Sequence, residues 1–280
     1  MTVLWTILVP TIGQRRDYLC QMLDGLLPQV DSQGGRVNVL SYWDNGEVSI
    51  AAKKQALLEA ADGEYVSYVD DDDTVSKDYV TAIVEALASR PDYVGLKLQV
   101  YCDGRPFALS HHSLRHGGWI DLAVDTPKRR REVLAEPELA GYLRRDITCA
   151  NPMRTDIART ARFTAAKGQP EDRMWVGQLR DGGQLRTEVF VDRVLYHYWW
   201  APSQSVWVQP TRTISATDPA GQPWRPLQVA SPHFAWHPAS PLPQGDADGG
   251  DAHHRAGAHP DVEHQPPARR VRRHTRRGRR

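Results

Sequence analysis

Three short runs of almost unbroken apolar and β-branched residues limit this chain more than any other feature. They are residues 3–9 (VLWTILV), 37–42 (VNVLSY) and 65–69 (YVSYV). Runs of this length without polar alternation read as strands buried on both faces. Helical patterns lie between them. Leu19, Met22, Leu23, Leu26 and Leu27 recur at three- and four-residue steps, with Pro28 as the expected stop. Ser49 is placed to cap a helix over residues 50–61, with Gly63 as its stop signal. A helical stretch over residues 79–89 and a strand over 93–100 follow. Strand, helix, strand, helix, strand is the pattern of an open α/β sheet, mainly parallel and flanked by helices. Such sheets bind ligands beyond the carboxyl ends of their strands.

After about residue 210 this texture ends: Pro and Gly become frequent, periodicity fades, and His and Arg accumulate. The reading is therefore one catalytic-sized domain over residues 1–210 and an extension over 211–280 without a packed core of its own. Net charge supports that division. Of the 35 Lys and Arg, eight are arginines within residues 269–280, which hold no acid; the remaining 27 face 34 Asp and Glu, a net of −7. The formal +1 of the whole chain thus averages an acidic body and a basic tail. The tail reads either as an arm for nucleic acid or other anionic polymers, or as an extension without a role.

Three cysteines at wide spacing, Cys20, Cys102 and Cys149, form no CxxC pair. That suits a reducing compartment and argues against structural zinc. No apolar run approaches the roughly 18 residues that a membrane span requires. The expected location is cytoplasmic.

The third strand runs straight into Asp70, Asp71, Asp72 and Asp73. Adjacent carboxylates repel by about a kcal/mol or more per close pair, and a divalent cation relieves that repulsion. Mg²⁺ and Mn²⁺ take one or two carboxylates together with substrate phosphates. In an extended segment Asp70 and Asp72 share one side and can serve one metal–nucleotide complex. The competing reading is a solvated acidic turn.

With these residues on the page, the sequence resembles the nucleotide-sugar glycosyltransferases of the Rossmann-like GT-A fold, family 2 in particular. TILVPTIGQRRDYL is similar to that family's first strand, nucleotide loop and helix, and SYWDNGE to its second strand and base-contacting turn. AAKKQALLEAADGEYVSYVDDDD resembles the family stretch ending in its DXD motif. ANPMR and PEDRMW resemble the segment that leads to the acceptor-side acids, and YHYWW the late segment where many GT-A enzymes place a metal-binding His. Lys54 and Gln55 stand where Arg and Asn are more usual, and Cys149 and Ala150 replace a His-Leu pair.

The resemblance implies a metal-dependent, inverting transfer from a nucleoside diphosphate sugar to a hydroxyl of a glycan, lipid carrier, protein or modified nucleic acid. It places Asp72, Asp70 and His197 at Mn²⁺ or Mg²⁺. It places Pro10, Thr11, Asp44, Lys54, Asp70 and Asp71 at the donor. It makes Asp172 the general base, with Glu171 orienting it or the acceptor. Each assignment has a plainer counterpart: an Asx turn for Asp44, a solvated helix residue for Lys54, acids complementing a helix dipole for Glu171 and Asp172, a core residue for His197. Trp175, Trp199 and Trp200 can stack on a sugar or pack the core, and residues 128–131 (KRRR) can steer an anion or simply face solvent. Two rival functions remain at this point. One is a nucleotidyltransferase acting on a sugar phosphate; the other is a nucleic-acid-binding protein acting through its tail.

Overall fold

Along the first strand, Trp5, Ile7 and Val9 enter one apolar cluster and Leu8 enters another. Both faces of this strand are therefore covered, as its unbroken apolar run requires. The structure, a computed structural model, describes residues 2–102, 104–117, 142–164, 170–200 and 229–237. The strands are β1 (Trp5–Ile12), β2 (Val37–Asp44), β3 (Tyr65–Tyr68), β4 (Thr74–Val75), β5 (Tyr93–Cys102), β6 (Arg105–His112), β7 (Tyr142–Arg145), β8 (Met153–Arg154), β9 (Glu188–Trp200) and β10 (Phe234–Trp236). The helices are α1 (Arg16–Asp31), α2 (Ile50–Ala60), α3 (Tyr79–Leu87), α4 (Thr155–Ala158) and α5 (Glu171–Gly182).

The path through the sheet is β10-β2-β1-β3-β8-β5-β6-β7. The β10, β2, β1 and β3 portion is parallel throughout. Beyond it the sheet is mixed: β8 is antiparallel to β3 and β5, whereas β9 runs parallel to β5 and crosses over to pair with β4. Helices α1 and α3 cover one face, with Leu19, Met22, Leu26, Val80 and Ile83 packed on Trp5, Ile7 and Val39. Helices α2 and α5 cover the other, with Leu57, Leu58, Trp175 and Leu179 packed on Leu8, Val66 and Tyr68. This is a three-layer α/β/α arrangement, and the carboxyl ends of β1, β2 and β3 open at one edge.

Several element boundaries differ from the expected ones for local reasons. β1 does not stop at Pro10 but continues to Ile12. The Leu8 carbonyl faces β3, where Val69 N–H meets it at 3.0 Å. Two residues on, Pro10 faces that same side after β3 has ended, so its missing N–H breaks no ladder bond. Helix α1 passes through Pro28 to Asp31, because Asp24 and Pro28 both lie on the exposed face where a freed carbonyl meets solvent. Ser49 caps α2 as expected, its hydroxyl accepting Ala52 N–H at 3.3 Å. Gly63 is not the left-handed stop of that helix. It is needed because a Cβ there would lie 2.6 Å from Thr6 N and 2.8 Å from Tyr65 O.

β10 falls within the extension that was expected to begin at residue 211. Its register places Phe234 beside Val39 and Trp236 beside Ser41, and the Tyr42 and His237 rings stack at 5.1 Å. Ser231 Oγ also donates to Asp31 at 2.6 Å. The sheet therefore takes a strand from beyond the expected boundary. A strand of three residues, between Pro232 and Pro238, is too short to show a readable period. The Arg-rich tail at 269–280, residues 128–131 and the side chain of Trp200 lie outside the described residues. Among the described residues no helix is long and apolar enough to cross a membrane.

Candidate active site

The chain gathers its charged residues where β1, β2 and β3 end. Thr11, near the end of β1, donates its hydroxyl to Asp71 Oδ2 at 2.7 Å, and its carbonyl accepts Lys53 Nζ at 2.9 Å. A single 3-10 turn, Gly13–Arg15, then leads into α1. From that turn the Arg15 guanidinium reaches Asp71 Oδ1 at 3.0 Å and also contacts Asp72. Burial opposes the charge on Arg15, but the four aspartates outweigh it and raise its pKa.

The four aspartates have separate environments. Asp71 is 1% exposed, and burial pushes its carboxyl up to about 7 although Arg15 and Thr11 pull the other way. Asp73 is buried and holds the Tyr196 hydroxyl at 2.7 Å and Trp199 N–H at 2.9 Å. Burial, then Asp72 and Asp70, hold its carboxyl well above the usual range. Asp72 is partly exposed, and it too is raised, by burial first and Asp70 second, against Arg15. Asp70 donates its backbone N–H to the Tyr196 hydroxyl at 3.2 Å. Asp70 and Asp72 are thus the half-open pair, while Asp71 and Asp73 are built into the wall.

Asp44 closes β2 and is fully buried. Its Oδ1 takes Lys53 Nζ and Gly46 N–H, the latter at 3.1 Å, and its Oδ2 takes Val48 N–H at 2.6 Å. Gly46 has φ +99°, the left-handed conformation that this Asx turn requires. The turn reading of Asp44 is realised, and Lys53 occupies the side from which a base was expected to bond. Pro10 is buried in the floor between them.

Lys54 extends from α2 toward α5, near enough to Asp70 for that carboxylate to raise its pKa against burial. It is 5% exposed, and its Nζ donates to Glu171 Oε1 at 2.8 Å. Glu171 and Asp172 open α5, where acids suit the helix dipole. Asp172 accepts Arg173 N–H at 2.8 Å. Burial raises its carboxyl pKa, Lys54 opposes that, and Glu171 and Asp70 add to it. Asp70, at the end of β3, is thus near enough to Asp172 of α5 for its charge to act on that carboxyl.

β9 brings tyrosines to that space. Tyr196 reaches Asp73, and Tyr198 feels burial, then Asp73, Asp70, Asp72 and Asp172, all of which push its phenol up. His197 lies between them on the strand and so points to the other face. There its Nδ1 is 3.5 Å from Tyr101 Oη, and its lowered pKa has burial as its one cause, with no contribution from the aspartates. The structure therefore does not bring His197 to the carboxylates. Trp175, 1% exposed and stacked on Phe163 at 4.8 Å, is core. Trp199, 37% exposed, stacks on Tyr101 at 4.0 Å.

Among the described residues no three or more His, Cys, Asp or Glu are gathered into a ready-made cage. Two half-open carboxylates, Asp70 and Asp72, fit Mg²⁺ or Mn²⁺ instead, since these ions take few protein oxygens and complete their shell from phosphates and water. Residue-type reasoning missed Arg15, Lys53, Tyr196 and Tyr198. The signal for Arg15 was the unbalanced charge of four aspartates beside a lone turn cation. The signal for the tyrosines was the two-residue period of YHYWW.

Residues 16–132 match Glycosyl transferase family 2. This range holds Asp44, Lys54 and all four aspartates and stops short of Asp172 and His197. Among solved structures the fold is similar to residues 1–349 of S. aureus TarS, with a TM-score of 0.50 and 14% identity over 70% of this chain and 60% of that one. It is equally similar to the same TarS fragment in complex with UDP-GlcNAc, at a TM-score of 0.50 and 14% identity over 71% and 59%. This chain thus spans about 60% of the length of those structures. No curated protein matches its sequence. These likenesses are to a GT-A fold.

Proposed function

We propose that this chain is a glycosyltransferase of the family 2 type, which moves a sugar from a nucleoside diphosphate sugar to an acceptor hydroxyl with inversion at the anomeric carbon. The observation that carries this reading is the opposition of two acid groups. Asp70 and Asp72 stand at the strand ends, and Asp172 stands at the N-terminus of α5, where burial first, then Glu171 and Asp70, raise its carboxyl pKa against Lys54. One group suits a leaving diphosphate and the other an entering hydroxyl.

Asp70 and Asp72 would hold Mn²⁺ or Mg²⁺, which when bound offsets the charge that develops on the departing diphosphate. Arg15, already beside Asp71 and Asp72, adds a fixed positive charge at the same edge. Thr11, Lys53 and Asp44 hold the floor on which the nucleotide would lie, so Asp44 shapes the base-contacting turn from below. Asp172 accepts the proton of the acceptor hydroxyl as that oxygen attacks. With no enzyme nucleophile interposed, one displacement inverts the configuration.

The acceptor class is left open among glycan, lipid carrier, protein and modified nucleic acid, and a cytoplasmic location follows from the reduced state that its separate cysteines favour. The test is a panel of nucleoside diphosphate sugars, UDP-GlcNAc among them, each with and without Mn²⁺ or Mg²⁺. Thermal shift and product release are read together. Release of nucleoside diphosphate supports the transferase reading. Release of pyrophosphate would replace it with nucleotidyl transfer.

A further inference from the structure

Lys54 was expected at the donor diphosphate, but its geometry gives it another partner. Its Nζ lies 2.8 Å from Glu171 Oε1 and 3.9 Å from Cys149 Sγ. The same nitrogen stands 5.8 Å above the Tyr68 ring centroid and 5.9 Å above that of Phe163. The Tyr68 hydroxyl fixes the backbone beneath it by donating to the Lys54 carbonyl at 2.6 Å. A cation this deep costs several kcal/mol of desolvation and persists only when paired. Here burial opposes the charge, and the Cys149 sulfur with the carboxylates of Asp70, Glu171 and Asp172 together more than offset it.

The bond joins α2 to the first residue of α5, and Asp172 is the next residue along. We propose that Lys54 is a positioning residue for the transfer base: it clamps the first turn of α5 through Glu171, and its charge offsets the two neighbouring acids that would otherwise keep Asp172 protonated. This rests on the reading of Asp172 as the base. The groups that face Asp172 are Lys54 from α2, Glu171 from its own helix, Asp70 from the end of β3, Tyr198 from β9 and Cys149 from the segment before β8. Among the described residues of that set Lys54 is the one cation. Cys149, pushed up to about 12 chiefly by burial, supplies no positive charge whether or not it holds its proton.

The experiment compares wild type with Lys54→Met, Lys54→Arg, Glu171→Gln and the Lys54→Met/Glu171→Gln double variant. For each, nucleoside diphosphate release is followed against pH, and donor binding is measured by calorimetry with the nucleoside diphosphate sugar that wild type turns over. Lys54→Met should move the acidic limb of the rate profile upward by about one pH unit, the effect of losing one close opposite charge. Its donor affinity should stay near that of wild type. Lys54→Arg should restore the limb. Glu171→Gln removes a like charge and should move the limb downward, and the double variant should return it toward wild type. Should Lys54→Met fail to fold, the Glu171→Gln and double variants carry the test, and an unmoved or raised limb in Glu171→Gln overturns the proposal. So does a Lys54→Met protein that loses donor affinity with an unmoved limb, since Lys54 would then be a diphosphate contact. A wild-type protein that binds no nucleoside diphosphate sugar at all brings down the transferase reading itself, and this proposal with it.

Discussion

Arg15 stands 3.0 Å from Asp71 Oδ1, and its second guanidinium nitrogen goes on to Asp72. A protein cation therefore occupies the edge where four carboxylates crowd. Arg15→Gln removes it and leaves Asp71 and Asp72 to repel each other and Asp70. Arg15 is itself about one third exposed, so the loss is modest, about 1–2 kcal/mol. Mn²⁺ or Mg²⁺ should then raise the melting temperature of the variant more than that of wild type. Equal shifts in the two proteins would show that metal and arginine do not share these carboxylates.

Asp71 makes stability depend on pH in a predictable direction. Its folded pKa, raised to about 7 mainly by burial, lies above the ordinary carboxylate value. Between these values the folded chain keeps a proton that the unfolded chain has lost. The contribution of this group is thus fully present below about pH 4 and falls as pH rises toward 7. Asp71→Asn stays neutral throughout. Urea melts should show its stability relative to wild type increasing from about pH 5 to about pH 8. A constant difference across that range would mean that Asp71 is ionised in the folded protein at every pH tested.

Tyr196 serves two aspartates through one oxygen, donating to Asp73 at 2.7 Å and accepting Asp70 N–H at 3.2 Å. Tyr196→Phe fills the same space and removes both bonds. A buried carboxyl and a buried N–H each lose a partner, which costs about 1–3 kcal/mol. Chemical denaturation should register that loss at neutral pH. Unchanged stability would show that solvent reaches Asp73 in place of the phenol.

The sequence made the sheet legible because its runs were long and periodic. The runs at 3–9, 37–42 and 65–69 each supply a strand of the parallel portion, and the third leads into the edge where the aspartates gather. It was also right to keep Glu171 and Asp172 together at a helix start. What could not be read was direction over one residue. Lys53 and Lys54 are neighbours on α2, yet a helix turns them about 100° apart. Lys53 reaches Thr11 and Asp44, whereas Lys54 reaches Glu171. His197 failed for the same reason on a strand, where a one-residue step reverses the face. β10 was missed because three residues show no period.

Asp172 and Asp72 should separate transfer from binding. Asp172→Asn preserves size and the helix start but cannot take a proton at neutral pH. Without its general base, transfer should fall by about 10²- to 10⁴-fold. Donor affinity should hold, because Asp172 belongs to α5 and not to the strand ends. Asp72→Asn should do the opposite, weakening donor binding in the presence of Mn²⁺ or Mg²⁺ and reducing transfer with it, since a neutral amide is a poor ligand for a hard cation. Calorimetry with donor and metal, beside nucleoside diphosphate release, distinguishes the two. If Asp172→Asn keeps wild-type transfer, the proton goes elsewhere. Glu171, the neighbouring carboxylate at the start of α5, then becomes the next group to remove.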